Sequence, residues 1–573
     1  MSFRIRLSRG GKERKAKLTF FDSFTGIAFR LFSTPATTLS RSIPLLRDQI
    51  LKSNIRITPE GLVAVSLMAT LIAGVLAAIG IWIGFGIYHI PYFLALIAIV
   101  PAVFTMVINA PRISASSRAS AIDIELPFVI GYISVLAGGG VSPLATLRRI
   151  SQMTLFPAAA REARRILVEV DVFGSDPITA IETVARWNPS RTFSEFLFGY
   201  TAILKSGGNF LLYVQGKLRD VMESKAAAVK RSADTTGTMA EAYLTVTVIL
   251  GMVLYTLYMV QSLIAGNTGG LTNLYFFAFI IVPLISAAFV WLIDAVQPKW
   301  PFVDYRPYKY FLYTAPVAAI FFFLPLGLHL YLKTAISLMI GASVPAIMAT
   351  SFSRKRRNLE RVLPEFIRDV AEGRKTGLSP EVAIERLGDR HYGVLSSHVK
   401  KMGAQLSWGV SLAKVVSTFT SAVSSWITKA IGVLLIEVVD VGGGTIRSFS
   451  DMADFTRGIN EMESERRAAL RPFVFITYIA GIMVIVTTFI LVYLLSAPTS
   501  LHIGGSTSAA AGPDPGIIDN LLTTAVFDAF VIGLVAGKMG ESGLSDGFKH
   551  SIFLVIASLV AIVVARFFIN IPV

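Results

Sequence analysis

Asp528 poses the first chemical question in this chain, because it lies in the middle of the apolar run "TTAVFDAFVIGL". An ionisable group inside a membrane segment is costly and needs a partner. It reads either as a link in a proton or ion relay or as a buried hydrogen bond that fixes a helix bundle. A relay needs several such groups in series, none is visible, and the structural bond is the expectation. Other chemistry is thin. There is no cysteine, which excludes disulfides, thiolate metal sites and a cysteine nucleophile, and the six histidines form no HExxH or HxxxH pair. "GLVAGKMG" (533–540) lacks the GxxxxGK[ST] spacing of a phosphate-binding loop. No GxGxxG follows a strand and no GxSxG occurs, so the sequence offers no cofactor-binding or catalytic motif. The glycine clusters 138–140 and 442–444 are explained by helix ends and close packing. Glu437 and Asp440 are three apart and share a helix face. They read as a solvated face or a protein-docking surface.

The elements around these residues repeat. "GGVSPLATLRRI" (139–150) is echoed by "TGLSPEVAIERL" (376–387). Aligning Leu126-Pro127 with Leu363-Pro364 brings Gly140 onto Gly377, Ser142 onto Ser379 and Pro143 onto Pro380, an offset of 237. Proline at a first helical turn loses no hydrogen bond. About thirteen residues of helix follow, then a glycine in the left-handed conformation, then a serine cap and a proline opening the next helix. Each copy thus reads as a helical hairpin. "FGSDPITAI" (173–181) aligns with "WGVSLAKVV" (408–416), bringing Gly174 onto Gly409. "SGGNFLLYVQGKL" (206–218), with Gly207 and Gly208, aligns with "GGGTIRSFSDMAD" (442–454), with Gly442 and Gly443. The offsets are 235 and 236. Three words in one order describe a duplicated domain rather than a solenoid.

Composition sets the class. Hydrophobic residues make up 53% of the chain and charged residues 16%, with mean hydropathy +0.63. That is a polytopic membrane protein. The net charge of +16 is the positive-inside bias of such a protein, not nucleic-acid binding. Nine runs are long enough to span: 62–87, 91–109, 243–265, 273–293, 309–327, 331–350, 472–496, 520–537 and 551–569. The N-terminal stretch is basic ("RIRLSRGGKERKAK") and is placed inside, with room for a membrane-surface helix or a partner contact. Counting spans puts 110–241, 294–308, 351–471 and 538–550 inside as well. The outer loops 88–90, 266–272, 328–330 and 497–519 contain no Lys or Arg. "SRKRR" (353–357) reads as a stop-transfer flank or a contact to anionic headgroups.

The expected fold is therefore an all-α polytopic membrane protein. It has about nine transmembrane helices and two homologous helical-bundle cytoplasmic domains in a parallel repeat. Its parts are a basic region 1–60, helices in 61–110, a first helical domain 111–241, helices in 242–350, a second helical domain 351–471, and helices with the external loop in 472–573. The N-terminus is expected inside and the C-terminus outside.

At these residues the chain resembles a known family: the F domain of type II secretion and type IV pilus systems. The likeness is to its large archaeal form, the membrane platform of the archaellum and archaeal type IV pili (the FlaJ/TadC group). That family's hairpin start is matched by Gly140-Val141-Ser142-Pro143 and Gly377-Leu378-Ser379-Pro380. Its second glycine-led helix is matched at Gly174 and Gly409, and its acidic-x-Gly-Gly element by Asp440-Val441-Gly442-Gly443. The first copy departs there, with Lys205-Ser206-Gly207-Gly208. The resemblance covers about 110–290 and 350–496. It implies a non-enzymatic platform, expected as a homodimer in the cell membrane, that binds a hexameric secretion ATPase and pilin or archaellin subunits. Charge and position nominate ATPase-docking residues: Arg148, Arg149, Arg161, Arg164 and Arg165 in the first domain, and Arg374, Lys375, Lys400 and Lys401 in the second. The rival reading is a secondary transporter built from parallel repeats, which should show discontinuous spans and several polar midplane groups.

Overall fold

The computed structural model describes residues 20–83, 96–257, 269–297, 305–440, 445–496, 515–541 and 543–569. Among the described residues every regular element is helical. The chain divides into two compact units, 1–129 with 144–210, and 130–143 with 211–573.

The first unit begins with α1 (Phe20–Arg41), α2 (Leu45–Ser53), α3 (Pro59–Ile81) and α4 (Ile99–Ile108). Thr58 caps α3 by accepting from the Gly61 N–H, and Pro59 opens it. Helix α5 (Ala110–Gly138) then starts a bundle with α6 (Pro143–Gln152), α7 (Pro157–Asp171), α8 (Pro177–Arg186) and α9 (Arg191–Ser206). Connections of a few residues make neighbours antiparallel. Ile166, Ala180, Phe196 and Tyr200 are buried in this bundle. Glu125 of α5 accepts from the N–H groups of Ala158 and Ala159 (3.1 and 2.8 Å), so its carboxylate serves as the N-cap that α7 lacks locally.

The second unit holds α10 (Phe210–Leu244), α11 (Val282–Val296), α12 (Arg306–Phe323) and α13 (Leu330–Lys375). It continues with α14 (Pro380–Arg386), α15 (Ser396–Ser407), α16 (Leu412–Ala422) and α17 (Trp426–Asp440), and closes with α18 (Ile446–Ser496), α19 (Pro515–Glu541) and α20 (Gly547–Ile569). The last turns of α13 and helices α14 to α17 repeat the bundle of the first unit. Phe366, Ile384, Val399, Val416 and Ile431 fill its core.

Helices α10 and α18 occupy equivalent places in the two repeats and touch at equivalent positions. Gln215 donates to Asp451 (2.9 Å), at a separation of 236 along the chain. Met222 lies against Gly458 and Phe473 against Gly237, again offsets of 236. Contacts at one offset along two helices mean that they run parallel and in register, as in a parallel coiled coil. The duplication is thus a physical pairing as well as a sequence pattern.

Eight helices among the described residues have the length and hydropathy of a span. Six agree with predicted spans in place: Pro59–Ile81, Phe210–Leu257, Asn273–Val296, Leu330–Lys375, Ile446–Ile490 and Ile518–Glu541. A seventh, Leu544–Ala565, corresponds to the last predicted span. The span expected at 91–109 begins outside the described residues, and its described part is the apolar helix Leu96–Ile108. One differs. Helix α12, expected as a span over 309–327, carries Arg306 and Lys309 in its first turn and falls outside the eight. The eighth is α5, which the sequence reading assigns to a soluble domain. Its apolar stretch is 72% buried against protein, so we read its apolarity as bundle core rather than a lipid face. The predicted outer loop falls largely outside the described residues.

Candidate docking and coupling sites

The left-handed glycines mark the turns. Gly140 has φ +80°, Gly174 +69°, Gly207 +67°, Gly377 +86° and Gly409 +78°. Gly207 closes α9, and Ser379 caps α14 by accepting from the Val382 N–H. Ser142 and Pro143 occupy the corresponding start of α6. Gly442 and Gly443 lie outside the described residues. Asp440 is the exposed last residue of α17, while Lys205, its counterpart in the first copy, pairs with Glu182 at 2.5 Å. Because the helices alternate, Gly174 and Gly207 fall at one end of the first bundle, and Gly377 and Gly409 at one end of the second.

Each bundle carries an aromatic ring directly before its second turn. Phe173 is 69% exposed and Trp408 86% exposed. They align in the repeat at the same offset as the glycines that follow them. Neither was singled out from sequence, although both stand in the aligned words "FGSD" and "WGVS".

The nominated basic residues are scattered by the fold. Arg374 donates to the Leu378 carbonyl across the Gly377 turn (2.6 Å), and the exposed Lys375 pairs with Glu372. Lys400 and Lys401 are exposed on α15, with Lys401 about two helical turns before Trp408. In the first bundle Arg148 pairs with Asp171 at 2.9 Å and Arg149 is half-buried. Arg161 donates to the Pro157 carbonyl and Arg164 to that of Ser151. Arg165 joins a buried cluster: Glu162, 2% exposed, accepts from Arg118 (2.6 and 3.0 Å), Asn188 (3.0 Å) and Arg165 (3.4 Å). Arg118 also donates to the Lys52 carbonyl (2.7 Å), which ties α2 to α5.

A second duplicated device was not anticipated. Ser190 caps α9 by accepting from the Phe193 N–H and donates its hydroxyl to Asp123 of α5 (2.5 Å). Ser425 accepts from the Thr428 N–H at the start of α17 and donates to Glu360 of α13 (2.8 Å). Asp123 corresponds to Glu360 and Ser190 to Ser425 at the repeat offsets of 237 and 235. Pro127 and Pro364 belong here and correct an expectation. The sequence pattern puts them at first helical turns, but both lie inside long continuous helices. A proline within a helix removes the bond to the carbonyl four residues back, and those residues are Asp123 and Glu360. Helix interruption and cross-helix cap coincide in each copy.

Asp528 sits on α19, which is 83% buried over its span-length stretch. Its Oδ2 accepts from the Tyr255 hydroxyl (2.5 Å), a structural bond inside the bundle. Two more polar ties hold this helix. Near one end Asp519 accepts from the Leu330 N–H (2.8 Å), and near the other Lys538 donates to Asp294 (2.6 Å). "GLVAGKMG" serves packing: a Cβ on Gly537 would come within 2.1 Å of the Gly547 nitrogen, so α19 and α20 meet backbone to backbone. The turn between them reaches α13 through Ser353–Asp546 (3.0 Å) and Arg357–Glu541 (3.8 Å). Among the described residues no cluster of three or more His, Asp or Glu could hold a metal ion.

Fold and sites together define a polytopic α-helical membrane protein with a duplicated helical bundle. The family Type II secretion system (T2SS), protein F, matches the chain twice, at 129–258 and 366–493. Two stretches of the chain, together under half of its length, are thus similar to this domain, and the similarity points to the membrane platforms of secretion and pilus-type systems. The second match starts and ends at the repeat offsets from the first. The uncharacterized protein MJ1286 of Methanocaldococcus jannaschii is 21% identical over 487 residues, 78% of this chain and 80% of its own length. No solved structure matches the chain.

Proposed function

We propose that this chain is the membrane platform for assembly of a type IV pilus-like filament, an archaellum or a pilus. Its two bundles lie on the cytoplasmic side, where the basic loops place them, and the C-terminus lies outside. They receive the motions of a hexameric secretion ATPase and pass them to pilin-like subunits moving from the membrane into the filament. The platform itself is non-enzymatic, consistent with a sequence that contains no nucleotide-binding motif, and it works as a homodimer. The observation that carries this reading is the pair of F domains whose helices α10 and α18 touch at equivalent positions, Gln215 with Asp451. Two like helices paired in register suit a protein that takes up force from a symmetric motor.

The turn ends and their basic flanks are the proposed docking surface. Full-length protein in nanodiscs should bind a purified hexameric secretion ATPase from the same organism. Lys400→Glu with Lys401→Glu, and separately Trp408→Ala, should weaken that binding. No binding by the unsubstituted protein would remove the ATPase partnership, and undiminished binding by both variants would move the docking surface elsewhere.

A further inference from the structure

Helices α1 and α2 have two faces, and only one is explained by packing. Ala28 and Ala36 of α1 and Leu46 and Ile50 of α2 are buried with Leu62, Val63, Ala64 and Val65 at the start of the membrane helix α3. A flanking face of each helix leaves large apolar side chains open: Ile27 and Leu31 one turn apart on α1, and Leu45 on α2, each more than half exposed. Hydroxyls on α1 are turned onto its own backbone. Thr37 and Thr38 both donate to the Thr34 carbonyl and Ser40 to the Thr37 carbonyl, which lowers the polarity of that surface. Arg30, Arg41, Arg47, Lys52 and Arg56 are exposed on the same two helices and the segment that follows. The layer cannot turn its apolar face inward, because the small Ala28 and Ala36 fill the contact with α3 and Arg118 holds the Lys52 carbonyl at 2.7 Å.

We propose that α1 and α2 form an in-plane anchor. Ile27, Leu31 and Leu45 insert at the headgroup–acyl boundary of an anionic lipid leaflet while the arginines and lysine contact the headgroups. A bilayer is the occupant the observations favour. The exposed apolar side chains sit on a layer packed against the first residues of a membrane-spanning helix, so lipid is already adjacent. An apolar face bordered by cations is also the chemistry of interfacial helices.

The chain contains no cysteine, so single-cysteine variants report without background. Leu31→Cys and Leu45→Cys, labelled with bimane in the full-length protein, would be placed in nanodiscs of phosphatidylcholine alone or mixed with phosphatidylglycerol. The discs carry lipids brominated near the headgroup. Leu71→Cys, exposed on α3, is the lipid-facing reference, and Phe173→Cys is the reference away from the membrane. Both α1–α2 labels should be quenched toward the Leu71 level, with Phe173 unaffected. Adding Arg30→Glu and Lys52→Glu should reduce quenching roughly two-fold in the anionic discs and leave it unchanged in phosphatidylcholine. Quenching at both positions no greater than at Phe173 would overturn the anchor. So would labels shielded from both brominated lipid and aqueous iodide, which would mean that protein covers the face. Indifference to these two substitutions would overturn the anionic specificity.

Discussion

The two bundles are built to one plan and stabilised differently. Both turn through left-handed glycines, both present an aromatic ring before the second turn, and both lock the start of their penultimate or last helix with a serine bonded to a carboxylate beside a mid-helix proline. The first bundle adds the buried Glu162 cluster, whose Arg118 reaches back to α2. The second has no counterpart at Ser397 or Val399, the positions offset by 235 and 237 from Glu162. Its first helix, α13, runs unbroken from Leu330 to Lys375 and carries a span-length apolar stretch. The difference teaches which features the architecture requires and which anchor one copy to its surroundings. Shared turns and caps set the bundle, and the ion cluster ties the first copy to α2.

Hydrogen exchange resolved by bundle can break this comparison. The largest effect is expected from Glu162→Gln, which leaves Arg118 and Arg165 without their buried counter-charge. It should lower the opening free energy of the first bundle by about 3–5 kcal/mol and leave the second unchanged. Equal losses in both would mean that the bundles open as one. Next come the caps. Ser190→Ala and Ser425→Ala should each cost about 1–2 kcal/mol in their own bundle. The loss should be smaller for Ser425, because Glu360 keeps Arg356 and Arg467 within 4.0 Å. A null result at either serine would show that the shared device is decorative in that copy.

Gly174→Ala and Gly409→Ala should cost roughly 1 kcal/mol each. No atom lies within 4 Å of the added Cβ at either position, so the loss is one of backbone conformation alone and should match between copies. The smallest effect is a pH dependence confined to the second bundle. Burial, and then Lys401, hold His398 below its ordinary value of 6.5, and the first bundle contains no histidine. The unfolded chain then binds more protons than the fold, so stability falls as pH drops below about 6.5. His398→Gln should flatten that slope, and an equal slope in the first bundle would assign it to another group.

Much of the architecture was legible in sequence because duplication and hydropathy are local patterns. The words around Gly140 and Gly377 point to the hairpins, and an even number of spans in each repeated unit predicts the parallel arrangement. The prolines were misplaced because an L-P pair reads as a helix start unless the helix before it is seen to continue. The caps were legible in part: Asp123 with Glu360 and Ser190 with Ser425 align at the repeat offsets. Their bonding was not legible, since each serine is far along the chain from its carboxylate. Asp528 was recognised as a group needing a partner, and the fold supplied Tyr255 from 273 residues away.

By itself the sequence determined a helical membrane protein with one domain written twice, because apolar runs, glycine stops and Ser-Pro starts act within a few residues. Tertiary structure alone decided two further things: that α10 and α18 meet in register, and that α19 is tied by polar groups to its neighbours. Each depends on which surfaces face one another after packing, and hydropathy cannot separate a helix buried in protein from one dissolved in lipid.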